Sequence, residues 1–209
     1  MKGGSALLVA SLFEGESRLS STIQRPLRAD ARRNRGKVLA AAAAAFAETG
    51  LDAQVEDIAR RAGVGVGTVY RHFPTKDALV GALAEEHFER LADTVEAALE
   101  EHGDGWETFA ATIWRIADAV AADVAWCEIV GGHPTAVQTA SGGQHRLAAL
   151  TSTLLARAQE SGAMRADVTF TDIRTIMCGF GHIAAAQRAG APLDWKRYLD
   201  IALDGLRAR

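Results

Sequence analysis

The sequence predicts an all-α fold, with a three-helix N-terminal unit joined by a long fourth helix to a C-terminal helical part. Three observations carry this. Beyond residue 25 apolar side chains recur three and four positions apart. No segment shows the alternation of period two that a half-buried strand needs, and no internal repeat is present. Each periodic run is closed by a glycine, a proline or a capping side chain.

Residues 1–24, rich in serine and glycine, are expected to form a flexible arm. The first helix is expected over 28–49, with Leu39, Ala43 and Phe46 on one face, stopping at Gly50, a residue suited to the left-handed position after a helix. A second helix, about 55–62, turns Val55, Ile58, Ala59 and Ala62 inward. Gly63-Val64-Gly65 then bends the chain into a third helix over 66–72. Phe73-Pro74 ends it, because proline disfavours the α conformation in the residue before it. Thr75 caps a long fourth helix, about 76–101, whose apolar face is Phe88, Leu91, Val95 and Leu99. Three further helical stretches are expected at 105–130, with a break near Ala122, at 136–161 and at 169–189, where Thr169 and Asp172 resemble a capping box. A last helix at 192–208 should bury Trp195, Leu199, Ala202 and Leu206. The chain thus divides into an arm at 1–24, a three-helix unit at 25–80 and a helical body at 81–209.

The 209 residues have a net charge of −3 and a mean hydropathy of +0.00, the profile of a globular chain able to bury a core. The charge is uneven: residues 25–80 hold ten Lys/Arg against six Asp/Glu, a net of +4, leaving −7 elsewhere. A basic pole on an acidic body suits a nucleic-acid module beside a part that does not bind. Cys127 and Cys178 lack disulfide or metal-ligand spacing and, flanked by apolar residues, are expected to be buried free thiols. No apolar run approaches the roughly 18 residues that span a bilayer, so the expected location is the cytoplasm, with no membrane partner. The six histidines form no His-x-x-x-His pair, and no catalytic residue, metal or cofactor is expected. Gly63 to Gly67 imitates a dinucleotide loop, but its third glycine comes one residue early and a helix precedes it.

Two short helices joined by a three-residue turn have the form of a helix-turn-helix, with Gly63 permitting the tight turn. In the third helix Val66, Val69 and Phe73 face inward, leaving Gly67, Thr68, Arg71 and His72 outward with Tyr70 beside them. Such a division fits a helix that enters a major groove about 12 Å wide. The ordered string Ile58-Ala59, Ala62-Gly63-Val64, Gly67-Thr68-Val69-Tyr70-Arg71-His72-Phe73-Pro74, then Lys76 and Leu79, resembles the DNA-binding domain of the tetracycline-repressor (TetR) family. The resemblance covers about residues 28–80. It implies a regulator that binds double-stranded operator DNA as a homodimer. Thr68 and His72 would approach bases or nearby phosphates, Tyr70 and Lys76 would meet phosphates, and Gly67 would admit a close backbone. Arg35 and Lys37, within the basic run that starts at Arg28, would reach the DNA backbone or a minor groove, or else form a solvated helix face. Gln54 and Gly65 stand where the family usually opens its second and third helices with a hydroxyl residue.

Aromatic and soft side chains gather in the body: Trp106, Phe109, Trp114, Trp126, Cys127, Met177 and Phe180, with His133 and His182. The resemblance implies a pocket there for an unidentified small-molecule effector, although aromatics at helical spacing also fill ordinary cores. Gly179, Gly181 and Ala184, with Trp195 and Leu199 of the last helix, are the candidate dimer face, or else small residues that pack within one subunit. The expected function is therefore a sequence-specific transcriptional regulator, a repressor released by an effector. The rival is a helical ligand-binding protein that does not touch DNA, or a body that only dimerises.

Overall fold

The computed structural model describes residues 10–101, 103–126, 129 and 141–208. Apart from one isolated bridge pair, Met164 with Arg207, the regular structure among them is helical. The elements are α1 (Ala10–Thr49), a single 3-10 turn (Gly50–Asp52), α2 (Val55–Ala62), α3 (Val66–His72), α4 (Lys76–Glu100), α5 (Gly105–Ala122), α6 (Ser141–Glu160), α7 (Phe170–Arg188) and α8 (Trp195–Leu206). No described helix is long and apolar enough to cross a membrane.

The boundaries follow local chemistry. Gly50 takes a φ of 63° and ends α1, and Gly63, at φ 66° and ψ 34°, closes α2 with its amide on the carbonyls of Ala59 and Arg60. The Thr75 hydroxyl accepts from the Ala78 amide at 3.1 Å and starts α4. Thr169 and Asp172 form the reciprocal capping box that starts α7. The break expected near Ala122 falls at Asp123, whose Oδ1 accepts from the Trp126 amide at 2.9 Å.

One boundary differs from expectation. Helix α1 begins at Ala10 rather than near residue 28, so the backbone of 10–24, expected as part of a flexible arm, is helical. Good helix formers there (Leu12, Glu14, Glu16, Arg18, Leu19, Gln24) outnumber the breakers Gly15 and Pro26.

Two apolar cores hold the chain. The first joins Leu39, Ala42 and Phe46 of α1 to Ile58 and Ala59 of α2, Val69 of α3 with Phe73, and Leu79, Val80 and Leu83 of α4. Ala125 and Ile129, from beyond α5, complete it. The second joins Val95 of α4, Phe109, Ile113 and Ala117 of α5, Leu154 and Ala158 of α6, Phe180 and Ala184 of α7, and Leu199 and Leu203 of α8. Trp126 packs against both.

Helices α4 and α6 are pinned along their length. The Gly143 amide donates to Glu85 at 2.7 Å, in a contact so close that a Cβ on Gly143 would lie 2.9 Å from Phe88 and 3.1 Å from the Glu85 carbonyl oxygen. One turn further, Arg146 donates to Glu89, Asp93 and Glu96, which recur along one face of α4.

Candidate nucleic-acid interface and cavity

Helix α3 is held by Val69, 1% exposed, and by Phe73 just past its end, while Val66 is only half-buried. Its opposite side is open. Gly67 and Arg71 are exposed, Thr68 and His72 are half-buried, and Tyr70 is 46% exposed, unusual for so large an apolar ring. A Cβ built on Gly67 meets nothing within 4 Å. Neither Gln54 before α2 nor Gly65 before α3 makes a side-chain cap, as their chemistry implied.

The flanking cations behave differently from one another. Lys37 is exposed. Arg35 lies 3.5 Å from Glu86 of α4, with its guanidinium 5.5 Å from the centre of the Phe73 ring, so it borders the C-terminal end of α3. Lys76 turns inward: Nζ donates to the Ala53 carbonyl at 3.0 Å and lies 5.8 Å from the centre of the Phe46 ring. The carbonyl after the 3-10 turn competes for the ammonium that sequence reading aimed at a phosphate.

In the body, four helices and Trp126 enclose a cavity of about 330 Å³. Each helix gives one stripe: His87, Phe88 and Leu91 from α4; Ile113, Ile116 and Val120 from α5; Gln144, Leu147 and Thr151 from α6. From α7 come Phe170, Ile173, Arg174, Met177, Cys178, Gly181, His182 and Ala185. The lining is mostly apolar with a few polar groups, the usual composition of a small-molecule site. Cys178 is exposed at this wall rather than buried, because its position falls on the cavity stripe and not on the α8 side of α7.

Of the residues singled out for a pocket, Trp126 and Met177 line it, and so does His182. Trp106, Phe109, Trp114 and Phe180 do not. Trp106 and Phe109, 2% and 0% exposed, pack in the second core, with the Arg207 guanidinium 4.5 Å from the Trp106 ring. Trp114 and Phe180 pack on Trp195 at 6.0 and 5.2 Å between ring centres. Aromatic size placed these side chains in the core, whereas the cavity wall is built from mixed residues at i, i+3 and i+7. Cys127 and His133 lie outside the described residues.

The candidate dimer residues are also largely internal. Leu199 is fully buried, Ala184 is 4% exposed, and Gly179 admits Tyr198, whose hydroxyl would sit 2.8 Å from an added Cβ. Trp195 is half-buried and Gly181 faces the cavity. Of the small residues of α7, Gly179 thus serves close approach to α8 within the subunit. The exposed apolar side chains at this end are Leu193, 45% exposed, and Ile201, 57% exposed.

His87, which sequence reading did not select, is 3% exposed and stacks on Trp126 with ring centres 3.8 Å apart and 6° between planes. Its Nδ1 lies 3.3 Å from Oδ2 of Asp123. Burial pushes the imidazole pKa below its usual value, outweighing the opposite pull of Asp123. Burial raises Asp123, but the His87 hydrogen bond, the Trp126 amide and Arg90 together outweigh it and hold the carboxyl below its ordinary range.

A short helix with a polar outer face, the third of a three-helix unit that α4 joins to a helical body, defines a helix-turn-helix protein. The comparisons with known proteins agree. Residues 38–83 match the pattern of bacterial regulatory proteins of the tetR family, and residues 96–208 match that of the SbtR-like transcriptional regulator C-terminal domain. The chain belongs to the tetR family.

A TetR transcription regulatory protein from Mycobacterium vanbaalenii, of known crystal structure, is 38% identical, with a TM-score of 0.59 over 88% of this chain and 100% of that one. A transcriptional repressor of Mycobacterium tuberculosis is 45% identical over 76 residues, 32% of this chain and 40% of the relative. A transcriptional activator, FasR of Mycolicibacterium smegmatis, is 31% identical over 110 residues, 52% of this chain and 50% of the relative. These curated relatives are therefore matched over half of their length or less.

Proposed function

We propose that this protein is a dimeric transcriptional repressor that places α3 of each subunit in a major groove of operator DNA and leaves it when an effector fills the body cavity. The observation that carries the reading is the outer face of α3, where Gly67, Thr68, Tyr70, Arg71 and His72 stand free of the core that Val69 and Phe73 anchor. Tyr70 and the exposed cations Arg35, Lys37 and Arg71 would meet phosphates and supply affinity, while Thr68 and His72 would read base edges. Lys76 joins them only if its bond to Ala53 opens.

Two subunits are required because one seven-residue helix covers too few base pairs to select a site. The outward face at Leu193 and Ile201 is the part a second copy would cover. The residues 25–80 act as the head and 81–209 as the body of this regulator, with α4 shared between their cores. Effector filling works by favouring the body arrangement whose head spacing no longer fits DNA.

The test is fluorescence anisotropy on DNA from upstream of the protein's own gene, against scrambled DNA, at several salt concentrations. Selective binding that weakens steeply with salt is expected. Weak binding indifferent to sequence and salt would leave a helical ligand-binding protein in its place.

A further inference from the structure

The cavity of the body carries fixed charge of one sign. Its ionisable lining side chains are His87 of α4 and Arg174, Cys178 and His182 of α7, and no carboxylate stands among the described residues of the wall. Gln144 and Thr151 are neutral, and burial holds His87 below the usual histidine pKa, so the permanent charge is the Arg174 guanidinium. Other arginines of the body are occupied. Arg90, Arg115, Arg146 and Arg165 pair with carboxylates, while Arg157 and Arg188 donate to the carbonyls of Leu99 and Ala121. Arg174 is exposed and meets no such partner among the described residues. The positions three and four away from it on α7 are Phe170, Thr171, Met177 and Cys178, none of them an acid.

Arg174 also gives the cavity two distinct ends. The lining stripe of α7 continues from it to Ala185, roughly 16 Å along the helix at 1.5 Å per residue. Just beyond Ala185, Arg188 reaches the Ala121 carbonyl at the end of α5, so the end away from Arg174 adjoins the turn that carries Trp126. The remaining wall is mostly apolar, with Leu91, Ile113, Ile116 and Leu147 prominent in it.

We infer that the cavity takes an amphipathic monocarboxylate of about ten carbons, its head group on the Arg174 guanidinium and its apolar tail directed toward Trp126. The inference rests on the proposed reading of the cavity as the effector site. The head group follows from charge. The guanidinium fork matches a carboxylate, whereas an ammonium would meet a cation with no acid on the wall to offset it. A phosphate monoester would bring nearly two negative charges against one positive. The tail follows from volume: a cavity of about 150 Å³ takes one benzene, of six heavy atoms, and this one is about 330 Å³, room for about twelve.

The test uses decanoate, 1-decanol and decylamine, which share a tail and differ in charge, titrated calorimetrically into the full chain, into Arg174→Gln and into the cavity-filling Ala185→Phe. The wild type should bind decanoate about tenfold more tightly than the alcohol, the worth of one charge-assisted hydrogen bond at an exposed site, and the amine most weakly. Arg174→Gln should bind decanoate no better than decanol, with decanol undiminished, a pattern that a merely unfolded or loosened variant would not give. On the wild type alone, affinity should rise about fourfold for each methylene from hexanoate to decanoate. Equal binding of acid and alcohol, or a preference that survives in Arg174→Gln, overturns the role of Arg174. Tightest binding of the amine, or binding of none of the three, overturns the ligand class. Affinity indifferent to tail length and to Ala185→Phe overturns the placement of the tail in the cavity. Decanoate that binds with the expected dependence on Arg174 yet leaves affinity for operator DNA unchanged would overturn the release of DNA by an effector, and not the ligand class.

Discussion

Replacing Gly67 by alanine should move stability and DNA affinity in opposite directions. Gly67 lies in the first turn of α3 with helical backbone, and an added Cβ meets nothing within 4 Å. The free protein therefore has no steric objection to alanine, and the helix gains from a smaller loss of backbone freedom, about 0.5 to 1 kcal/mol for a helix interior. In a first turn the low end applies, and about 0.5 kcal/mol in a chain of this size raises Tm by roughly 1–2 °C. The same methyl group projects from the face proposed to approach DNA. There it would hold the backbone away from a phosphate, and a loss of about 1.4 kcal/mol in contact would weaken binding about tenfold. Far-UV circular dichroism on heating gives the first quantity, and anisotropy on operator DNA the second. Unchanged affinity in a stabilised variant would refute the placement of Gly67 at the interface, and a destabilised variant would refute the account of its surroundings.

At Gly63 the same change should act differently, because φ is 66°: Gly63→Ala forces a left-handed alanine and should cost about 1–2 kcal/mol, read as a lower melting temperature. In the recognition helix, Tyr70→Phe should weaken binding about equally on all sequences, whereas Thr68→Ala should relax preference at particular base pairs, as competition with single-base operator variants would report. Equal loss of discrimination in both variants would contradict their separate roles. His87 sets a pH dependence. Burial holds its folded pKa below the ordinary histidine value of about 6.5, so the unfolded chain takes up the proton first, and stability should fall as pH drops below about 6.5. Asp123 has a depressed pKa and loses its contribution only as pH falls below the ordinary aspartate range, so the two windows separate. Urea melts across pH 5 to 7 should show the slope in the wild type and a flatter profile in His87→Phe. Finally, Ile129→Ala should destabilise the helix-turn-helix by about 2–5 kcal/mol, the range for truncating a core isoleucine, and hydrogen exchange in α2 and α3 should report it although Ile129 lies far from them in sequence.

The fold was legible where local chemistry decides it. Gly50, Gly63, Thr75 and the Thr169–Asp172 box stop or start helices by backbone conformation and capping, which act within four residues. The outer face of α3 was readable for the same reason, since its inward anchors Val69 and Phe73 are four apart. The cavity was less so. Whether Phe109 fills a core or lines a space depends on which neighbour α5 meets, and that is fixed by tertiary packing. The stripe on α7 was present in the sequence as 170, 173, 174, 177, 178, 181, 182 and 185, but Gly181 and Ala185 carry no apolar weight to draw attention. His87 was hidden likewise, because its partners Asp123 and Trp126 lie 36 and 39 residues away. Lys76 shows the converse limit: its charge was evident, but the Ala53 carbonyl that holds it comes from another element.

The two cores explain why a ligand in the body could matter to the head at all. Were α4 the sole connection, the head could pivot about one helix with little consequence for its own packing. Instead Ala125 and Ile129 sit in the head core, five and nine residues beyond Val120 of the cavity wall, and Trp126 between them touches both cores. The turn after α5 is therefore a second attachment. Asp123 fixes its start through the Trp126 amide and ties it to α4 through His87 and Arg90. A displacement of Trp126 bears on both sides of it, because the side chain packs against both cores and its neighbours Ala125 and Ile129 are buried in that of the head. On the proposed reading, that displacement is passed to Ala125 and Ile129 where they meet α1 and α4, and so to the unit that carries α3.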